Sequence, residues 1–174
     1  MVGPLLTLVV AVSLALTGCS DGPILQRDAP TSGAVSHPSA PATLSLTTPE
    51  SAVRSYLDWT DYAYRIGASD VATRTMGPSE EVRVNSYLEM NKEQGRLIDQ
   101  RLVSITFGQG SVDGTTATLP AHEQWRYRYL SLADEKPQSP LYSATCDTTY
   151  TVVATGPGHW VVEDVEAKSR GTLK

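Results

Sequence analysis

The chain is 174 residues long, carries a formal net charge of −5 at pH 7, and holds two cysteines and three histidines. Such an acid excess argues against nucleic acid and against a polybasic membrane patch as partners. Histidines at 37, 122 and 159 lack metal-ligand spacing, so neither a metal nor a cofactor is expected. Along the chain, the first feature is an apolar run from Leu5 to Leu16 with no charged residue. It is shorter than the ~20 residues that a spanning helix needs and suits a signal-peptide core.

Leu16-Thr17-Gly18-Cys19 follows at once: a large apolar residue, two small ones, then cysteine. It resembles the lipobox of bacterial lipoproteins. The resemblance implies a signal peptide over 1–18, cleavage before Cys19, a diacylglyceryl group on the Cys19 thiol, and an acyl chain such as palmitate on the freed amine. The domain would then sit at the extracytoplasmic face of the cell membrane. Each buried CH₂ contributes about 0.8 kcal/mol, so one chain holds marginally and several hold stably. The pattern departs from the family in one respect, because Met1-Val2-Gly3-Pro4 has no Lys or Arg.

From Cys19 to Thr47 the chain reads as a tether, with Pro23, Pro30, Pro38 and Pro41 among small polar residues and little to bury. About 28 flexible residues place the domain on the order of 30 Å from the bilayer on average. His37 lies in this tether and reads as solvated. What remains, 48–168, is one ordinary domain, with 169–174 a tail.

Thr47-Thr48-Pro49-Glu50 offers a capping hydroxyl, an early proline and a Glu three residues on. Val53, Tyr56, Leu57, Thr60 and Tyr64 then recur at helical spacing until Gly67. A short second helix is expected over 69–75. A third follows Gly77-Pro78, with Val82, Tyr87 and Leu88 inward, ending near Gly95. Beyond Gly95 the period becomes strand-like. The expected strands are 97–107, 116–130 bent at Pro120, 142–155 and 159–167, with an Asp113-Gly114 hairpin turn before the second. Three helices followed by about four antiparallel strands make an α+β domain.

Val82-Arg83-Val84-Asn85-Ser86-Tyr87, Glu123-Gln124-Trp125-Arg126-Tyr127, Tyr150-Thr151-Val152-Val153 and Gly158-His159-Trp160-Val161-Val162 carry a family resemblance. Together with the order of elements they are similar to the NTF2-like superfamily, and more narrowly to its IMS domain, known from chloroplast-division proteins and bacterial homologues. The resemblance spans about 49–167 and implies a cone in which a curved antiparallel sheet wraps the N-terminal helices. These motifs are short and aromatic, and mark a fold rather than a chemistry.

On the strand from Ala121 to Leu130, Glu123, Trp125, Tyr127 and Tyr129 share one face, and His122, Gln124, Arg126 and Arg128 the other. The aromatic face belongs against the helices, so Trp59, Phe107, Trp125, Tyr127 and Trp160 are expected to fill or line the cone. The basic face meets water or an acidic partner. Glu123 is the odd member, since a carboxylate on an apolar face is costly unless paired, so it is expected either at the mouth of the cone or paired with Arg101 or a tyrosine hydroxyl. Superfamily enzymes such as ketosteroid isomerase set a carboxylate base beside tyrosine hydroxyls, and here Glu123 with Tyr56, Tyr87 or Tyr127 would be the imitation. His122 points away from Glu123 and forms no dyad with it, and His159 belongs to a turn. Cys146, on an alternating strand, reads as a small buried apolar residue, and with Cys19 taken by lipid a disulfide-built fold is not expected.

The expected function is a membrane-anchored, non-catalytic binding module that meets the membrane through the lipid on Cys19 and takes a protein partner or a small apolar ligand. The alternative is a small-molecule isomerase or hydrolase with a carboxylate in the cone.

Overall fold

The computed structural model describes residues 38–169. The expected signal peptide, lipidated Cys19, most of the tether and the residues from 170 onward lie outside the described residues. Three helical segments precede five strands.

Helix α1, Pro49–Ile66, begins with a capping box between Thr48 and Ser51: Ser51 N donates to Thr48 Oγ1 at 3.1 Å and Thr48 N to Ser51 Oγ at 3.0 Å. Thr48, one residue past Thr47, is thus the cap, with Ser51 as its partner in place of Glu50. The helix ends on Gly67 at φ 74°, a left-handed position that glycine takes at no steric cost. A 3-10 turn, Asp70–Thr75, leads to α2, Pro78–Glu93. Helix α2 buries Glu80, Val84, Leu88 and Asn91, while Val82 is 67% exposed. The expected inward position of Val82 is corrected, because two valines two residues apart lie on different faces of a helix.

The strands are β1 (Arg96–Phe107), β2 (Ser111–Asp113), β3 (Thr116–Ser131), β4 (Tyr142–Gly156) and β5 (His159–Ser169). They form one antiparallel sheet in the order β1-β3-β4-β5, and β2 pairs with β3 beyond the end of β1. The fifth strand, not expected from the sequence, is the incoming arm of the turn at Gly114. Pairing of β3 with β4 runs unbroken through Pro120, so the expected bend there leaves no register shift. Shifts occur between Leu102 and Ser104 on β1, at Glu163 on β5 and at Thr155 on β4, where bulges add twist.

The concave face packs on the helices around Val53, Tyr56, Leu57, Val84, Leu119, Trp125, Tyr150 and Val152. Burial on β3 alternates as the period of two requires: Ala117, Leu119, Ala121, Glu123 and Trp125 are buried, whereas Thr118, Gln124 and Arg126 are exposed. The last residues of the expected tether join the domain. Leu46 is buried, its carbonyl accepts from Trp160 N at 2.8 Å, and Ser45 exchanges hydrogen bonds with Ser55.

Candidate functional site

Among the described residues, three carboxyl groups within or against the cone, those of Glu123, Glu80 and Asp61, are each held by hydrogen-bond donors. Glu123, 2% exposed, faces the helices from the centre of β3. Its Oε2 accepts from Trp125 Nε1 at 2.8 Å, and its Oε1 accepts a short hydrogen bond from Tyr150 OH. Burial, and then the charge of Glu123, push the Tyr150 phenol well above its usual range, so it stays a donor. This is the tyrosine hydroxyl expected as a partner, supplied by Tyr150 rather than by Tyr56, Tyr87 or Tyr127. Arg101 is on the opposite face, and neither Tyr56, Tyr87 nor Tyr127 is a hydrogen-bond partner of Glu123.

Tyr56 instead donates to Glu80, which also takes a short ion pair from Arg83. Burial raises the Glu80 carboxyl, while the Tyr56 hydroxyl and the Arg83 charge pull it back down. Arg83 reaches on to β5, donating to the Val165 carbonyl at 2.6 Å and lying 3.3 Å from Asp164. Glu80 and Arg83 therefore latch α2 across the cone. The two tyrosine–carboxylate pairs meet where the Tyr56 and Tyr150 rings pack edge-on, 6.4 Å between centroids. Tyr87 packs edge-on against Tyr64.

The third group is Asp61, on the α1 side facing β1 and partly exposed. Its Oδ1 accepts from Gln100 Nε2 at 2.5 Å. Burial pushes its carboxyl up to about 8, with the charges of Asp58 and Glu123 adding to the rise and the hydrogen bonds from Gln100 and the Leu102 backbone opposing it. Asp61 lies off the apolar stripe of α1, and only the path of β1 over it creates this environment.

Of the expected lining residues, Trp125 is buried, and Trp59, Phe107 and Trp160 pack partly buried against the core. Tyr127 is half-buried, its ring 5.3 Å from that of Tyr142. Trp59 Nε1 is buried without a hydrogen-bond partner among the described residues. Cys146 is fully buried opposite Glu123 and takes part in a disulfide, which the sequence reading did not expect.

A groove of about 440 Å³ is lined by Thr106, Pro120, His122, Asp147, Glu166 and Lys168 among others. It lies on the outer side of the sheet, away from Glu123. There His122 Nδ1 and Asp147 Oδ1 are 2.9 Å apart, a cross-strand pair set by the β3–β4 register. His159 sits in the last turn with its Nδ1 2.6 Å from Thr155 Oγ1. Among the described residues no group of three or more His, Cys, Asp or Glu converges as metal ligands would.

No protein-family model matches the sequence, and no curated protein matches it. Solved structures do. The intermembrane-space region of the chloroplast protein ARC6 superposes with a TM-score of 0.54 at 14% identity, over 73% of this chain and 98% of that one. The fold is α+β, helices packed on one antiparallel sheet, and is shared with that region. A nuclear transport factor 2 (NTF2-like) superfamily protein from Salmonella enterica serovar Typhimurium gives a TM-score of 0.48 at 9% identity, over 70% of this chain and 91% of that one. A protein from Catenulispora acidiphila gives 0.48 at 8%, over 69% and 90%. At these identities the likeness is one of fold.

Proposed function

We propose that this chain is a lipid-anchored extracytoplasmic lipoprotein whose NTF2-like domain, of the IMS type, is a non-catalytic binding module for a protein or a small apolar ligand. The observation that supports it most is the state of Glu123, both of whose oxygens already accept from Trp125 and Tyr150. A general base must reach the proton it abstracts, and a carboxylate this deeply buried, with a core donor on each oxygen, does not offer that reach. The anchor rests on Leu16-Thr17-Gly18-Cys19. The fold neighbour is an intermembrane-space region, a setting in keeping with one outside the cytoplasm.

Fractionation of cells expressing the full chain, with intact mass measured without reductant, tests the reading. The expected result is membrane retention, a diacylglyceryl mass on the mature N-terminus, and loss of both in Cys19→Ala. The chain has two cysteines, so within one molecule lipid on the Cys19 sulfur leaves the Cys146 disulfide no partner, and the measured mass decides between these two exclusive states. An unlipidated chain that runs as an oxidised monomer would overturn the anchor.

A second reading, an isomerase or hydrolase, is favoured by Asp61 rather than by Glu123. Its carboxyl, at about 8, holds a proton near neutral pH as acid–base catalysts do. Turnover of enolisable ketones or activated esters that disappears in Asp61→Asn would establish it.

A further inference from the structure

On the outer face of the sheet, Arg101 of β1 stands directly across from Arg126 of β3. Both are exposed, and side chains so paired have Cβ atoms about 5 Å apart, where like charges repel. Most other described arginines are accommodated: Arg65 and Arg128 by Asp99, Arg83 by Glu80, Arg96 by Asn91 and the Tyr129 ring, Arg54 by the Phe107 ring, while Arg74, on the 3-10 turn, stands exposed and apart from the sheet. Arg101 and Arg126 have no ion pair or hydrogen bond among the described residues. The carboxylate two residues from Arg101, Asp99, is held by Arg128 at 2.7 Å and by Arg65 at 3.8 Å. Around the pair, register places Ser104, Gln124, Ser143 and Thr145, donors without charge. A chain of net charge −5 thus sets two guanidinium forks side by side on one exposed face of the sheet.

We infer that this face docks an acidic, extended protein segment with Asp or Glu at alternate positions, a reading that rests on the binding-module function above and names its partner. Alternate side chains of an extended chain stand about 7 Å apart on one face, a spacing that lets two carboxylates each take one fork. Position favours a protein over the bilayer. Arg126 pairs with Ser143 at the start of β4, whereas the N-terminal segment joins the sheet through Leu46 and Trp160, opposite Ala154 at the other end of that strand. The two sites are separated by about 35 Å along β4, so the arginine face lies far from where the proposed anchor enters.

The test is fluorescence anisotropy of a labelled (Glu-Thr)₅ peptide titrated with the purified full chain in detergent micelles. Binding weakens as salt rises, falls at least roughly 10-fold in R101E/R126E, and is unchanged in R74E, which alters an exposed arginine of the 3-10 turn. Thermal melts confirm that all variants fold. Equal binding by wild type and R101E/R126E, or no binding by wild type, overturns the inference. So does binding of phosphatidylglycerol vesicles that the peptide fails to displace. Membrane retention of Cys19→Ala is read separately, so failure of the anchor leaves this result standing, and failure here leaves the anchor untouched.

Discussion

The two faces of β3 treat charge in opposite ways. On the inner face, Glu123 is almost wholly excluded from water and both oxygens are occupied. Three residues on, Arg126 stands in water opposite a second arginine, with no ion pair to either among the described residues. Inside, a bare charge would cost several kcal/mol, so the fold supplies donors; outside, water screens the repulsion and the charge is left for a partner. The contrast separates what the charges hold together from what they are free to meet.

The largest effect should come from the inner face. Glu123→Ala leaves the Trp125 N–H and the Tyr150 hydroxyl buried without acceptors, and should cost about 3 kcal/mol or more in urea unfolding. A loss below about 1 kcal/mol would mean that water replaces the carboxylate there.

Asp61 should behave with the opposite sign. Its folded carboxyl, at about 8, lies above the ordinary aspartate value, so the folded state binds the proton more tightly. The stability this group contributes is fully present below about pH 4 and is lost as pH rises toward 8. Asp61→Asn should therefore raise Tm at pH 8 and change it little at pH 4.5. A gain that does not vary with pH would remove the buried-carboxyl account.

How much of this was legible in the sequence follows from the same strand. A period of two set Glu123 and Trp125 on one face and His122, Gln124 and Arg126 on the other, and the structure agrees. The partners were not legible, because they depend on register. Tyr150 reaches Glu123 from four residues beyond its cross-strand neighbour Cys146, and Asp147 meets His122 only through the alignment of β4. Val84 was legible: it stands four residues before Leu88 and shares its helix face, whereas Val82, six residues before, does not. The environment of Asp61 comes from β1, far along the chain.

The outer face should give a small effect. Arg126→Gln removes a cross-strand repulsion and should leave stability unchanged or raise it by about 0.5 kcal/mol. A loss above about 1 kcal/mol would show that Arg126 has a structural partner after all.

Trp59→Phe, which deletes a buried N–H that has no acceptor among the described residues, should cost less than the ~1–3 kcal/mol of breaking a satisfied hydrogen bond.

The central claim, that the Glu123 carboxylate is a structural element of the core, is tested most directly by a double-mutant cycle of Glu123→Gln with Tyr150→Phe in urea. Groups kept for catalysis tend to be held at the expense of stability, so their replacement is neutral or stabilising, whereas a structural pair loses stability and couples. The account predicts that each single variant is destabilised, with a coupling energy of about 1 kcal/mol or more. A Glu123→Gln variant more stable than wild type, with no coupling to Tyr150, would contradict it.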